Sequence, residues 1–382
     1  MRQLERERVM NEIGALLASN AVPMTEGTYE NEAARYTDPN HTQRELEAVF
    51  ARHPLVIAVS AQIPEAGDFF ADEVSGEPLV VMRDSDGVAR GFYNVCIHRG
   101  TKVVCEEAGS RRRHVCPFHG WVYDTAGQLR AVSHEQAFPD LGEQRRGLTP
   151  LNIAERHGLI WRLPEGWTEE DLADALGGLD DELASYGADR MMLDRSTVLE
   201  QPVNWKFVMD GFLETYHFQH LHGATIGPFV RSNFGLTDEF GPHTRMIVLR
   251  GSYDPDALAA DEQADPMTHI AVAYQLFPNT VLVWQGTHFE LWTSYPADRA
   301  ADRCAIRVTV IVPDPEQSDT PNIDWDRNWD ILMGTVLEED LEVSRRAQAG
   351  MATGAVATLI YGRNEPALQA FHRNLASEVP LR

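Results

Sequence analysis

No run of eighteen apolar residues occurs in this chain. Its first residues, MRQLERERVMNEIGALLASN, carry charge where a secretory leader would need an apolar stretch and a cleavage site. The sequence therefore reads as a soluble, cytoplasmic protein with no membrane partner. Cysteine is scarce, with four in 382 residues, which suits a reducing compartment better than a disulfide framework. Basic residues are scarce too. Lys and Arg total 33 against 58 Asp and Glu, a net charge of −25, and a surface of that sign argues against nucleic acid, because phosphate binding needs basic side chains. The acidity suits a solvated surface and, secondarily, attraction of a cationic substrate or a basic electron donor. No G-x-G-x-x-G opens a helix after a strand, so a dinucleotide fold is missing. Internal repeats, low-complexity tracts and Pro- or Ser-rich linkers are absent as well.

What is present is a globular composition, 43% hydrophobic, in a chain long enough for two packed units that need no staples. Residues 3–18 and 42–52 read as amphipathic helices, the second beginning at Thr42. Short strand-like runs follow: VIAVSAQ, PLVVMRD, ARGFYNV, HVCPFHGWVYD and LIWRLP, with turns at SDG (85–87) and TAG (125–127). They suggest a small antiparallel sandwich. Near Pro164 the chain enters an acidic helical stretch, EGWTEEDLADALGGLDDELASYG. Beyond about residue 190 long strands, TVLVWQG, FELWTSYP and CAIRVTVIVP, alternate with helices, of which the last carries EEDLEVSRRAQ.

Two of the four cysteines lie in CIHRGTKVVCEEAGSRRRHVCPFHGW, residues 96–121. Cys96 with His98, and Cys116 with His119, offer one thiolate and one imidazole from each of two loops. Gly100, Gly109 and Gly120 allow tight turns, and Pro117 stiffens the second loop. Two thiolates on one iron and two neutral imidazoles on the other raise a cluster's potential above that of an all-thiolate one. A Cys2His2 zinc site uses the same ligand types, but zinc modules usually place Cys with Cys and His with His. The segment resembles the Rieske [2Fe-2S] proteins. Cys105 and Cys304 lack a histidine at ligand spacing and read as small core residues.

A second dense segment is NWKFVMDGFLETYHFQHLHG, residues 204–223, with Asp210, Glu214, His217, His220 and His222. Two imidazoles and one carboxylate on one face of ferrous iron leave positions open for dioxygen and substrate. On an unbroken helix His217 and His220 lie roughly 60° apart, and His217 and His222 roughly 140°. Geometry alone thus favours His220, unless the helix stops near Gly223 and returns His222 toward the metal.

Together the two segments resemble the Rieske non-heme iron oxygenases, in the catalytic alpha subunit of the aromatic ring-hydroxylating group. The resemblance implies Cys96, His98, Cys116 and His119 as cluster ligands, His217 and His222 as ligands of a mononuclear iron, and Glu214 as a bridge for electrons between the sites. It implies a third iron ligand within VLEEDLEVSRRAQAG, where Asp340 aligns ahead of Gln348 and Gly350 and Glu339 is the competitor. On residues alone, Glu338, Glu339 and Asp340 are also what the acidic first turn of a helix would carry. His220 is then a surface or supporting histidine.

The implied architecture is α+β: an N-terminal Rieske antiparallel β-sandwich and a C-terminal helix-grip catalytic domain, an antiparallel sheet around long helices. The expected limits are 1–40 for a helical segment packed on the catalytic domain, 41–164 for the Rieske domain and 165–382 for the catalytic domain. The implied activity is hydroxylation of a small, first of all aromatic, organic substrate with dioxygen as co-substrate. The cofactors would be a [2Fe-2S] cluster and Fe(2+). Electrons would come from NAD(P)H through a separate flavin and iron-sulfur reductase, directly or by way of a ferredoxin, and the assembly would be a homotrimer.

Two departures matter. Asp210-Gly211 stands where relatives often have Glu-Asn. Glu214 replaces the Asp of many ring dioxygenases, and a longer acid occurs in relatives acting on quaternary ammonium compounds, which leaves demethylation or C–N cleavage of such a compound as the alternative. Trp284, Trp292, Phe229, Tyr274 and Phe277 are candidates to wall an aromatic pocket or a trimethylammonium cage. Outside this class, a Rieske electron carrier fused to a binding domain and a zinc-stabilised binding module use the same residues.

Overall fold

The computed structural model describes residues 1–141, 147–260, 265–316 and 323–381. The chain forms two compact units: a larger one of Met1–His53, Ala173–Tyr186 and Met192–Arg382, and a smaller one of Pro54–Leu172 with Gly187–Met191. No helix among the described residues is long and apolar enough to cross a membrane.

The smaller unit is built from three antiparallel sheets. Five strands run in the order Pro150–Leu151, Ala89–Tyr93, Leu79–Arg83, Asp68–Asp72, Ala108–Ser110; three in the order Ile153–Arg156, Leu159–Arg162, Leu55–Val59; and three in the order Arg113–Val115, Val122–Asp124, Leu129–Ala131. The run HVCPFHGWVYD, expected as one strand, is a hairpin: His114 pairs with Tyr123 and Val115 with Val122, and CPFHGW forms the loop between them. Gly109 is not a turn residue either. It lies in a strand, where an added Cβ would come 2.8 Å from the Phe69 ring.

The larger unit holds a seven-stranded sheet in the order Met191–Gln201, Cys304–Pro313, Phe289–Pro296, Thr280–Trp284, Ile270–Leu276, His243–Arg250, Val230–Phe240. Phe289–Pro296 is buried along its whole length, so its sequence lacks the alternation of a half-exposed strand. Across the middle of the sheet Met246 pairs with Ala273, Ala273 with Val283 and Val283 with Glu290, so these side chains share one face.

Helices depart from expectation at their ends. The helix expected from Thr42 starts at Pro39, because the Asp38 carboxylate accepts the Asn40 N–H and proline occupies the first turn. The segment 41–53, assigned from sequence to the smaller domain, folds with the larger unit. Buried Glu45 explains this: it accepts hydrogen bonds from Lys206 Nζ at 2.7 and 2.9 Å and from Trp205 Nε1 at 2.9 Å. The acidic stretch after Pro164 divides into Glu169–Leu176 and Gly178–Ala184, with the unit boundary at Leu172/Ala173 and residues 187–191 returning to the smaller unit.

The helix carrying EEDLEVSRRAQ begins at Trp325, capped by Asp324, and runs through a widened π-type turn at Thr335–Asp340 into Leu341–Ala352. Glu338, Glu339 and Asp340 therefore lie mid-helix and are not an acidic first turn. Nor is this the last helix, since Pro366–Glu378 follows.

Candidate metal centres

The two cysteine loops of the smaller unit are built alike. Cys96 N–H donates to Thr101 O at 2.8 Å and Gly100 N–H to Cys96 O at 2.9 Å; Cys116 N–H donates to Trp121 O at 2.8 Å and Gly120 N–H to Cys116 O at 3.0 Å. Both turns close on a left-handed glycine, Gly100 at φ 76° and Gly120 at φ 70°, where a side chain would be strained. Each cysteine is 2% exposed, and the Tyr123 hydroxyl lies 3.2 Å from Cys96 Sγ. Burial pushes the Cys96 thiol pKa up.

The His98 and His119 rings meet edge-on, with centroids 4.5 Å apart and planes at 75°, and Trp121 stacks on His98. Nδ1 of each histidine is buried without a hydrogen-bond partner among the described residues. Buried polar atoms are normally paired. Two sulfurs and two unpaired ring nitrogens make a donor set that a metal group completes, so the residues fit a [2Fe-2S] cluster. The other two cysteines part company: Cys304 is buried as expected, but Cys105 is exposed and is not a core residue.

In the larger unit the segment 204–223 is not one helix. Lys206–Phe212 ends before Glu214, and a second helix of one turn, Phe218–Leu221, has His217 directly before it and His222 directly after. The break resolves the register, because ring positions set by an unbroken 3.6-residue period no longer apply. Gly223 is not a left-handed stop. Both glycines mark close approaches: a Cβ at Gly223 would lie 2.8 Å from Gln219 O, and one at Gly227 2.7 Å from His222 O and 2.8 Å from Phe218 O.

His217, His222 and Asp340 converge, with their ligand atoms all within 4.8 Å of one another. The two Nε2 atoms are 3.1 Å apart, and Asp340 Oδ1 lies 3.2 Å from that of His222 and 3.6 Å from that of His217. On the far side of the rings, Nδ1 of His217 meets Glu214, and Nδ1 of His222 meets Glu339 at 2.5 Å. With each Nδ1–H donated to a carboxylate, both Nε2 lone pairs point at each other and at an anionic oxygen. Three acceptors without a donor fit a cation. The electrostatics agree: burial opposes protonation of His222, yet the Asp340 and Glu339 carboxylates outweigh it and raise its pKa. His220 points away and is exposed.

Glu339, the runner-up to Asp340 as third ligand, accepts instead from His222 and from Thr225 Oγ1, the latter at 2.8 Å. Glu214 sits in the non-helical link and also accepts the backbone N–H groups of Tyr216 and His217. Behind it Asp210 joins a buried network, taking the Tyr36 hydroxyl at 2.5 Å and lying 2.8 Å from His372 Nε2.

A cavity of about 430 Å³ opens from this cluster, with His217, His222 and Asp340 in its wall. Of the five aromatics expected there, only Phe229 lines it. Tyr274 is buried against Tyr186 and Glu182, Trp284 packs on Tyr186 and Phe289, and Phe277 packs on His53 and Phe371. Trp292 lies behind Phe212, which does reach the cavity. Strand alternation turns Tyr274 and Trp284 to the other side, whereas Trp292 shares the face of Glu290 and is screened from the cavity by Phe212. Charged residues inside apolar runs, Arg250 after MIVL and Glu290 in FELW, were the overlooked signal, and both line the cavity.

Residues 188–380 match the family model described as ring hydroxylating alpha subunit, catalytic domain, and residues 53–142 match the Rieske [2Fe-2S] domain. The chain belongs to the Rieske non-heme iron oxygenase alpha subunits. Within this family it is 31% identical over 287 residues to biphenyl 2,3-dioxygenase subunit alpha of Rhodococcus jostii (strain RHA1), covering 70% of this chain and 57% of that one. It is also 31% identical over 189 residues to the carnitine monooxygenase oxygenase subunit of Escherichia coli (strain K12), covering 49% and 50%. The chain thus spans about half the length of the curated relatives it matches. A solved quaternary ammonium Rieske monooxygenase superposes with a TM-score of 0.77 at 20% identity, over 94% of this chain and 96% of that one, a likeness of fold.

Proposed function

We propose that this chain is the terminal oxygenase of a multicomponent system, hydroxylating a small organic, first of all aromatic, substrate. The observation that carries the reading is the convergence of His217, His222 and Asp340 at the wall of a substrate-sized cavity. When bound, a [2Fe-2S] cluster on Cys96, His98, Cys116 and His119 supplies single electrons, and iron on the other three residues supplies dioxygen activation. The chain's own residues do the rest. Glu214 and Glu339 hold the two imidazoles by Nδ1 so that Nε2 is bare and aimed inward. Val248, Ala273, Val283 and Val336 give the cavity an apolar wall that excludes water.

A separate NAD(P)H-dependent reductase is the expected electron source. The solved quaternary ammonium monooxygenase is described in terms of inter-subunit electron transfer. For this chain a head-to-tail homotrimer, with Glu214 bridging the cluster of one subunit and the iron of the next, is the matching arrangement; a heterologous contact repeated by a threefold rotation closes on itself.

A second reading, a monooxygenase acting on a quaternary ammonium or N- or O-methylated compound, is favoured by Glu214 and by the likeness to the carnitine enzyme subunit. Oxygen uptake by the iron-loaded chain with a reductase and NADH decides, scored over naphthalene, benzoate and its hydroxy derivatives, glycine betaine and carnitine. Uptake with an aromatic compound and a hydroxylated product is expected. Uptake with betaines alone moves the assignment to the second reading. A cluster that is reduced while no compound elicits uptake would make the chain an electron carrier.

A further inference from the structure

The cavity has a second chemistry at the end away from the three ligands. Asn328, in its wall, precedes Asp340 by twelve residues on one continuous helix, which places the two Cα atoms roughly 18 Å apart along the axis. Around Asn328 stand Arg250, Gln285, Thr287, His288 and Glu290. The wall between the two ends is apolar, with Val248, Ala271, Ala273, Val283, Leu332 and Val336.

Two opposite charges at this end, Arg250 and Glu290, feel each other but form no hydrogen-bonded ion pair. Arg250 gives its hydrogen bonds to neutral groups: Nη2 donates to Gln285 O at 2.8 Å and to Gln285 Oε1 at 3.0 Å, and Nε to Ile270 O at 3.3 Å. No carboxylate among the described residues forms an ion pair with it. Its guanidinium is desolvated enough that burial lowers its pKa, with the charge of Glu290 opposing. Glu290 is 4% exposed, and its nearest cationic candidate, His288 Nε2, is 3.6 Å away.

That histidine is already committed. Nε2 lies 3.1 Å from the Asn328 amide nitrogen and accepts from it, which leaves Nδ1–H to donate to Thr287 Oγ1 at 3.1 Å. Glu290 therefore receives no hydrogen bond from the described residues. A half-buried guanidinium with no hydrogen-bonded anion and a buried carboxylate with no donor among the described residues, lining one cavity, are better satisfied when a ligand supplies both complements.

We propose that this end of the cavity recognises a substrate carrying a carboxylate beside an N–H or O–H group. Arg250 receives the carboxylate in its planar fork, and Glu290 accepts the adjacent donor. The substrate class is then a small amino or hydroxy acid with an apolar body, and not an unsubstituted hydrocarbon. This rests on the oxygenase reading for its consequence, namely which carbon is presented to the metal end, but not for its test.

Calorimetric titration of the full chain with benzoate, 3-hydroxybenzoate, benzamide and naphthalene is that test. We expect 3-hydroxybenzoate to bind more tightly than benzoate, and benzamide to bind weakly. Arg250→Gln should weaken both acids roughly tenfold to a hundredfold, the loss of a charged hydrogen bond. Glu290→Gln should abolish the preference for the hydroxy acid while keeping benzoate. The melting transition and the visible cluster spectrum report whether each variant is folded. Should Arg250→Gln not fold, the wild-type contrast between benzoate and benzamide decides alone. Benzamide binding as well as benzoate, an Arg250→Gln variant with undiminished affinity for acids, or a wild-type chain that binds none of the acids overturns the site. Oxygen uptake reads the other proposal separately. Uptake with naphthalene without acid binding sinks the site and keeps the oxygenase, and acid binding without uptake for any compound does the reverse.

Discussion

The Glu339 carboxylate lies 2.5 Å from Nδ1 of His222, and the neighbouring Asp340 carboxylate lies 3.2 Å from Nε2 of the same ring. Consecutive residues thus address opposite edges of one imidazole, because the widened turn at Thr335–Asp340 carries both toward it. One orients the ring and the other shares the metal side with it.

The first prediction follows from that division. Glu339→Gln should keep a mononuclear iron site but weaken it by roughly 10- to 100-fold, the usual effect of losing a group that orients a ligand. Chelator competition measures it. Unchanged affinity would show that the contact does not support the site.

For the ligands themselves, His217→Ala, His222→Ala and Asp340→Ala should each lose mononuclear iron while the visible spectrum of the cluster survives. His220→Ala, at an exposed position, should retain iron. Metal analysis of the four variants is enough. An empty site in His220→Ala with a full one in His222→Ala would reverse the assignment.

At the cluster, His98→Cys or His119→Cys should lower the reduction potential, because a charged thiolate replaces a neutral ring. Cys105→Ser should leave it unchanged, since that thiol is exposed and apart from the loop pair. Protein-film voltammetry reads both. A potential indifferent to the histidine substitutions would remove these rings from the cluster.

Glu214→Gln should leave both metal centres populated and slow electron delivery roughly 10- to 100-fold, because an amide cannot hold the His217 ring as a carboxylate does. Mixing this variant with Cys116→Ser and allowing subunits to exchange tests the trimer. Partial recovery of turnover is expected, since some intact Glu214 residues then face intact clusters on a neighbour. Exchange without recovery would confine the electron to one chain.

His243 gives a pH dependence. Phe277 N–H donates to its Nδ1 at 2.9 Å, and burial pushes its pKa down to about 4. The folded chain therefore keeps this ring neutral while the unfolded chain protonates it near its ordinary value of 6.5. Its contribution to stability is intact above that value and falls by roughly 3 kcal/mol as pH drops toward 4. Below that the penalty no longer grows. Melting curves between pH 7.5 and 4.5 should show a shallower decline for His243→Asn than for the native chain, and parallel curves would dismiss the assignment.

What was legible in the sequence is what depends on near neighbours along the chain. Cys96 with His98 and Cys116 with His119 could be read because each pair shares one short loop, and the left-handed glycines four residues after each cysteine announce the turn. The strand runs were legible for the same reason, apart from HVCPFHGWVYD, where apolar residues in a tight loop imitate a strand.

Tertiary structure decided whatever spans long separations or depends on where an element stops. The choice of His222 over His220 turns on a helix of a single turn, Phe218–Leu221, whose limits follow from packing and not from local preference. The meeting of Asp340 with His222, 118 positions earlier in the chain, and the division of labour between Glu339 and Asp340 follow from a helix that begins at Trp325 and widens just before them. The cavity wall was illegible because an aromatic residue in a strand faces either side of a sheet with equal local cost, and only the sheet register put Ala273, Val283 and Glu290 inside and Tyr274 and Trp284 on the other face. Glu45 crosses to the larger unit for a related reason: the charge of Lys206, buried 161 positions away, must be met by a carboxylate wherever the fold can bring one.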